Sequence, residues 1–128
     1  LKLLDQVAYA CASRYSGQYC VTLSVDKVTF KEPIHVGELV TFLASVNLVG
    51  RTSMEVGIRV EAQNILDRTT RHTNSCYFTM VAMHDGKPVQ VPPLPLETDL
   101  QRCRSKAAEQ RKAMRLESTQ VVSCDLYE

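Results

Sequence analysis

The sequence of 128 residues contains no tryptophan, and aromatic residues make up only 6% of it. A core must therefore be built mainly from aliphatic side chains, because hydrophobic residues still amount to 45% of the chain. No apolar run reaches the roughly 20 residues that a membrane-spanning helix needs. The formal net charge of +1 gives no bulk attraction to nucleic acid or to a membrane surface, so neither partner is predicted.

Cysteines and histidines are few and scattered along the chain. The five cysteines are Cys11, Cys20, Cys76, Cys103 and Cys124. Their odd number, their wide spacing and the absence of C-x-x-C predict free, mostly buried thiols in a reducing compartment, which favours the cytoplasm. A zinc site needs clustered cysteine and histidine, so neither a metal nor another cofactor is predicted.

Several enzyme classes lack their motifs here. The chain has no G-x-S-x-G elbow, no phosphate-binding loop and no dinucleotide fingerprint. A basic and aromatic surface for nucleic acid is also missing. A nucleophilic pair of Cys76 and His72 stays open, although strand residues four apart share a face without touching.

Residues 1–15 predict a helix that is apolar on most of its surface. One stripe consists of Leu1, Leu4, Ala8, Cys11, Ala12 and Tyr15, and the neighbouring face carries Leu3, Val7 and Ala10. A helix of this kind is usually central and covered on most sides. Gly17 suits its left-handed C-terminal cap.

The following residues change to an alternation of period two, which indicates strands. Four strands are predicted over about 21–30, 39–49, 54–62 and 71–83. The alternation shifts phase at Asp26-Lys27, which predicts a bulge in the first strand. Asp85-Gly86 predicts a tight turn after the last one.

The C-terminal part predicts a second, peripheral helix. Three prolines at 92, 93 and 95 force an extended connector, and Thr98 or Asp99 can cap a helix over 96–118. The tail 119–128 has no clear pattern. Consecutive strands with short connections pair mainly antiparallel. The whole pattern predicts an α+β protein with a hot-dog fold, in which an antiparallel sheet wraps around the central apolar helix over residues 1–95.

Asp5 is the anomalous residue of the first helix. Its neighbours one turn away, Leu1, Ala8 and Tyr9, are apolar or small, and an ionised carboxylate is costly to bury among them. Two structural explanations remain open: Asp5 complements the helix dipole from the first turn, or it faces water on an exposed edge. The functional explanation is a general base or a nucleophile that attacks a thioester carbonyl.

Four segments in this order resemble the hot-dog acyl-CoA thioesterases. They are LLDQVAYACASRY, VTLSVDKVTFKEPIHVGELV, GRTSMEVGIRVEAQN and TNSCYFTMVA, which together cover roughly residues 1–95. The most similar subgroup is the bacterial acyl-CoA hydrolases similar to the mammalian brain acyl-CoA hydrolase.

The resemblance implies a function, an assembly and a site. It implies hydrolysis of fatty acyl-CoA to free acid and CoA without metal, with Asp5 as the catalytic carboxylate. Two hot-dogs are expected to pair into a dimer whose interface forms the active site, and three dimers into a hexamer. The family's first strand, its His-Gly-Gly turn and an asparagine that works with the aspartate precede this helix. The oxyanion donor and that partner residue are therefore expected upstream of Leu1.

The segment Gly50-Arg51-Thr52-Ser53 resembles the family loop near the CoA pantetheine and phosphates. Arg51, Thr52 and Ser53 are therefore candidate substrate-binding residues, because a turn with hydroxyls and a guanidinium suits phosphate oxygens. A plain hairpin turn is the alternative. Lys27 and the basic face of the last helix are further candidates for phosphate contact, or are simply solvated.

Two other functions stay in view. Hot-dog dehydratases use a histidine with an acidic partner, and the first helix has no histidine. A non-catalytic acyl-CoA sensor would share the fold, and a DNA-binding segment or the loss of Asp5 would indicate it.

Overall fold

The structure is a computed structural model that describes the backbone of residues 2–30 and 32–127 and the side chains of residues 3–25 and 32–114. Leu1 and the side chains of Lys27 and Cys124, which the sequence analysis names, lie outside these ranges. So does the side chain of Arg115, one of the basic residues of the last helix. The elements in chain order are α1 (Lys2–Ser16), β1 (Tyr19–Phe30), β2 (Glu38–Val49), β3 (Ser53–Asn64), β4 (Thr70–His84), β5 (Lys87–Pro88) and α2 (Asp99–Tyr127).

The strands form one antiparallel sheet in the order β1-β4-β3-β2, with the short β5 paired to the end of β4. Both β1 and β2 are edge strands. The bulge predicted at Asp26-Lys27 is confirmed by a register shift between Val25 and Lys27, and a second shift falls between Thr22 and Ser24. A bulged strand bends and twists more strongly, which helps the sheet to curl.

The core lies between α1 and the concave face of the sheet. Leu4, Ala8 and Ala12 of α1 are buried against alternate residues of β3 and β4, which include Met54, Ile58, Phe78 and Met80. Alternate residues share a face because successive strand side chains point to opposite sides. The predicted α+β class and hot-dog fold are confirmed. In the single chain α1 is not covered all round, since Leu3 and Tyr9 remain exposed.

The end of α1 follows the predicted chemistry. Gly17 has a φ of 71° and its amide donates to the carbonyl of Ser13 at 2.8 Å. Glycine carries no Cβ and adopts this left-handed conformation at little cost.

The second helix differs from its predicted limits of 96–118. It starts at Asp99 because Thr98 is the N-cap: the Gln101 amide donates to Thr98 Oγ1 at 3.1 Å, and Gln101 Oε1 accepts from the Thr98 amide at 3.0 Å. It continues to Tyr127 through residues 119–127, where the sequence predicts a tail without pattern. No glycine or proline follows Pro95, so the chain contains no residue that would stop the helix.

The convex face of the sheet is partly covered by α2. Arg111 of α2 forms a two-pronged ion pair with Glu55 of β3, with distances of 2.6 Å and 3.0 Å. The Arg111 guanidinium also lies 3.7 Å above the ring of Tyr77. Ala108, the residue three positions earlier on the helix, is fully buried. The two helices therefore pack against opposite faces of the sheet.

The four cysteines whose side chains are described are free thiols, as predicted. Cys20 and Cys76 are buried and Cys11 is half-buried, whereas Cys103 on α2 is exposed. Burial raises the pKa of the Cys76 thiol to about 11. Within the described residues, neither helix is long and apolar enough to cross a bilayer.

Candidate active site

Asp5 lies in the first turn of α1 and faces the edge strand β1. The hydroxyl of Thr22 on β1 donates a hydrogen bond of 2.7 Å to Asp5 Oδ1. Thr22 is held in turn against the core, because its oxygen lies 3.4 Å from the sulfur of Met80 on β4. One carboxylate oxygen is thus fixed by a strand residue, and Oδ2 has no described hydrogen bond.

The Asp5 side chain is exposed in the single chain. The apolar cleft that the sequence predicts around it is therefore not formed by one copy alone. Both structural explanations of Asp5 agree with the structure. Its position in the first turn allows its charge to complement the helix dipole, and its exposure agrees with a position on an edge that faces water. Neither explanation accounts for the hydrogen bond from Thr22, since neither requires a partner from another element.

The surface next to Asp5 is an open, apolar strand edge. Tyr9, one turn along α1, packs edge-on against Tyr19 of β1, with ring centroids 5.8 Å apart. Leu23 and Val25 of the same strand have exposures of 65% and 41%. The outer side of β1 pairs with none of the described strands. A 12-residue edge strand with exposed apolar side chains is a template for pairing with another chain.

The second group of candidate residues forms the turn between β2 and β3. The Gly50 amide donates to the carbonyl of Ser53 at 2.8 Å, which closes the turn. The carbonyl of Thr52 accepts from Ala82 of β4, and that of Arg51 accepts from Val91 of the proline-rich connector, both at 3.0 Å. The turn backbone is thus held from two sides. The exposed Arg51 guanidinium makes no hydrogen bond or ion pair with a described residue.

The turn and Asp5 lie at the same end of the sheet but do not touch. Thr22, Met80 and Met54 are paired in one row across β1, β4 and β3, and Ser53 follows directly beyond that row. Adjacent strands are about 4.8 Å apart, and β3 lies two strands from β1. The start of the turn is therefore roughly 10 Å from β1, whose Thr22 donates the hydrogen bond to Asp5. This separation suits one extended ligand that contacts both.

The remaining candidates are the Cys76–His72 pair and the basic face of the last helix. His72 Nε2 lies 2.7 Å from Ser75 Oγ and 2.9 Å from the carbonyl of Asn74, while the Cys76 thiol is buried and protonated at neutral pH. The structure therefore gives no support to a nucleophilic Cys76–His72 pair.

The basic face of the last helix is not simply solvated, because Arg111 turns inward to Glu55. Among the residues with described side chains, no group of three or more His, Cys, Asp or Glu could hold a metal ion.

Thr22 is the site residue that the sequence analysis missed. In the pattern it is only one of the polar positions alternating with Val21 and Leu23. Nothing along the chain marks it, because its partner is 17 residues away on another element. An aligned set of relatives would have been the only sequence signal able to find it.

Comparisons with known proteins bear on this fold and this site. A sequence profile described as the thioesterase superfamily matches residues 1–67. The protein VdlD of Helicobacter pylori is 56% identical over 115 residues, which cover 90% of this chain and 66% of that protein. The chain therefore spans about two thirds of the length of this relative.

Two solved structures are similar over almost the whole chain. A hexameric acyl-CoA thioesterase superposes with a TM-score of 0.89 at 33% identity, covering 92% of this chain and 76% of that one. The acyl-CoA hydrolase of Staphylococcus aureus, solved with butyryl-CoA and CoA, superposes with a TM-score of 0.83 at 32% identity, covering 95% and 77%. This chain belongs to the thioesterase superfamily, as the resemblance of its four segments predicts.

Structures of three single-residue variants of the Staphylococcus aureus enzyme have also been solved. In these variants an aspartate, a threonine or an asparagine is replaced by alanine. The threonine follows the aspartate by 17 residues in that chain, which is the separation of Asp5 and Thr22 here. The asparagine precedes the aspartate in that chain.

Proposed function

We propose that this protein hydrolyses fatty acyl-CoA thioesters to free fatty acid and CoA, with Asp5 as the catalytic carboxylate. The observation that carries the proposal is the bond from Thr22 to Asp5, which orients a carboxylate beside an open strand edge. The names of the hexameric thioesterase and of the Staphylococcus aureus hydrolase support the substrate class.

Thioester hydrolysis requires two groups from the protein in this proposal, namely this carboxylate and an oxyanion donor. A thioester carbonyl is electrophilic and its thiolate is a fair leaving group. With Oδ1 held by Thr22, the other oxygen of Asp5 is free either to take a proton from water or to attack the carbonyl carbon itself. We expect the oxyanion donor among residues that precede Leu1, as the family resemblance implies.

A second copy of the chain completes the site in this proposal. Pairing of two β1 edges would extend the sheet across the dimer and would bury Tyr19, Leu23 and Val25, whose exposure in one copy is unusual. It would also enclose Asp5, which faces this edge, and expel water around it. Three such dimers would build a hexamer, the assembly named for one of the solved relatives.

The CoA end of the substrate is assigned to the turn that contains Arg51, Thr52 and Ser53. The turn lies at the Asp5 end of the sheet, its backbone is fixed by β4 and the connector, and the Arg51 guanidinium is open to a ligand. Lys112 of α2 adds a second cation, since its Nζ lies 3.9 Å from where a Cβ on Gly50 would be. Two cations beside a rigid turn suit the phosphates of CoA. A cytoplasmic location and a role in fatty acid metabolism follow from this substrate and stay predictions.

We expect Arg51→Ala to raise KM roughly tenfold with little change in kcat. The phosphate contact exists in both the bound substrate and the transition state, and one charge-assisted contact contributes about 1.5 kcal/mol at the lower end of its range. Steady-state kinetics with a long-chain acyl-CoA measure both constants. Lys106→Ala removes one exposed positive charge from α2 and serves as the control. An unchanged KM in Arg51→Ala would remove this residue from the site.

The function itself is tested by release of free thiol from acyl-CoA substrates of several chain lengths, with the full-length protein. Turnover that depends on enzyme concentration is the expected result. An acyl-CoA sensor, the alternative function, would bind the same ligands without releasing CoA. Tight binding of a long-chain acyl-CoA with no thiol release would therefore decide for the sensor and against hydrolysis.

A further inference from the structure

Exposed apolar side chains lie together at the end of the sheet farthest from Asp5, on a surface that we call the end patch. They come from the loop between β1 and β2, from the start of β2 and from the turn between β3 and β4. Glu38 of β2 pairs with Asn64 of β3, so the loop and the turn are neighbours at this end of the ladder. The members of the end patch are Ile34, Val36, Leu39, Ile65 and Leu66. The proposed hydrolysis uses none of them, and exposed apolar patches usually mark a contact site.

The turn between β3 and β4 is shaped by its polar residues alone. Asn64 Oδ1 accepts from the amides of Leu66 and Asp67 at 2.9 Å and 3.3 Å. Asp67 Oδ1 accepts from the amide of Thr69 at 2.9 Å and from its hydroxyl at 2.6 Å. Asparagine and aspartate commonly fix turns in this way. The side chains of Ile65 and Leu66 take no part in these bonds, so the turn itself gives no reason for two exposed apolar residues.

The loop between β1 and β2 is held at both ends by one guanidinium, that of Arg71 on β4. It donates to the carboxylate of Glu32 at 2.7 Å, to the carbonyl of Pro33 at 2.9 Å and to the carboxylate of Glu38 at 2.6 Å. The loop is therefore fixed against the sheet while its two apolar residues face water. Two neighbouring segments of defined shape that both expose apolar side chains form a preorganised contact surface.

The charged residues around the end patch favour a second copy of the chain over a lipid surface. Glu32, Glu38 and Asp67 are acidic, and Arg68 and Arg71 are basic. A surface that enters anionic lipid is usually rich in lysine and arginine, and this one has no excess of positive charge. A rim that carries both signs can instead match itself about a two-fold axis, where the acidic side of one copy meets the basic side of the other.

We infer that the end patch binds the end patch of a second copy, about a two-fold axis different from that of the β1 pair. The inference rests on the β1 dimer of the proposed function. That pairing alone stops at two copies, whereas one solved relative is a hexamer. The end patch lies beside β2, the edge strand farthest from β1, so the dimer leaves both of its patches free at opposite corners of the joined sheet. Each dimer can then contact two others, and three dimers close into a ring.

The test is the mass of the full-length protein in solution, measured by size-exclusion chromatography with light scattering. Leu66→Asp and Val36→Asp each place a carboxylate in the patch, and we expect the mass to fall from six copies to two. Leu66→Met keeps the surface apolar and should remain hexameric. The Leu66 side chain is 94% exposed in one copy, so its replacement leaves the core intact, which far-UV circular dichroism checks.

Leu100→Asp introduces the same charge on the exposed apolar side of α2 and should also remain hexameric. Hexamers of both Leu66→Asp and Val36→Asp would overturn the inference, as would a dimeric original protein. Dissociation of Leu100→Asp alone would assign the second contact to α2, and equal dissociation of all three variants would mean that any added charge breaks the assembly. A monomeric original protein would contradict the β1 pairing as well. None of these masses depends on turnover, so the inference does not fail with the proposed hydrolysis.

Discussion

Replacement of Asp5 by asparagine is expected to lower kcat for a long-chain acyl-CoA by roughly 100- to 10,000-fold, the usual contribution of a positioned acid or base. Asparagine keeps the size of the side chain and can still accept the hydrogen bond from Thr22. It can neither take a proton from water nor attack the carbonyl. The fold and the assembly should therefore persist while hydrolysis is lost.

Thiol release under substrate saturation measures this effect, and size-exclusion chromatography checks that the assembly is unchanged. Asp67→Asn is the matched control, because Asp67 is an exposed aspartate in the β3–β4 turn, at the opposite end of the sheet from Asp5. The control should retain full activity. Normal hydrolysis by Asp5→Asn would rule out the assignment of Asp5.

Comparison with Thr22→Val separates orientation from chemistry. Valine removes the hydroxyl that donates to Oδ1 and leaves the carboxylate in place. A hydrogen bond to a charged group contributes about 1.5–3 kcal/mol, so kcat should fall by roughly 10- to 100-fold, less than in Asp5→Asn. A loss in Thr22→Val that equals the loss in Asp5→Asn would mean that Thr22 does more than orient Asp5.

A single turnover in ¹⁸O-labelled water identifies Asp5 as a nucleophile when the label remains on the enzyme; attack of water on the acyl carbon of an anhydride would label the fatty acid, as water activation does. If Asp5 activates water, the labelled oxygen appears in the fatty acid in the first turnover. If Asp5 attacks the carbonyl, CoA leaves as its thiolate and a mixed anhydride forms. Attack of water on the aspartyl carbon then gives a fatty acid whose new oxygen comes from Asp5, with the label left on the enzyme.

The second large effect is expected from Arg111→Ala, which removes the partner of a buried carboxylate. Only 17% of the Arg111 side chain and 7% of the Glu55 side chain are exposed. Breaking a buried pair from one side typically costs about 3–5 kcal/mol, because the remaining charge keeps its desolvation penalty. We expect a decrease of about 3 kcal/mol in the free energy of unfolding, measured by urea denaturation at a fixed protein concentration.

Two further variants control this prediction. Arg59→Ala breaks an exposed ion pair on the same face of the sheet and should change the free energy of unfolding by about 1 kcal/mol or less. The double variant Glu55→Gln with Arg111→Met removes both charges together. It should be more stable than Arg111→Ala, since no buried charge is left without its partner. If Arg111→Ala has the same free energy of unfolding as the original protein, Arg111 does not hold α2 on the sheet.

Much of the fold was predictable because its signals are local. The period-two alternation predicted the four long strands to within about two residues, and the phase shift at Asp26-Lys27 predicted a bulge. The short β5, which is only Lys87–Pro88, carries no periodicity and was missed. The wrong C-terminal end of α2 has a similar cause, since residues 119–127 lack an apolar stripe although nothing in them stops a helix.

The sequence by itself determined the elements, the composition of the core and the place of Asp5 on an apolar helix, because periodicity, turn residues and caps depend on neighbours along the chain. Only the tertiary structure decided which side chains meet. Thr22 reaches Asp5 across 17 residues and Arg111 reaches Glu55 across 56, and both contacts form where a helix packs on the sheet. Such contacts depend on the register and curvature of the whole sheet, and no local pattern encodes them.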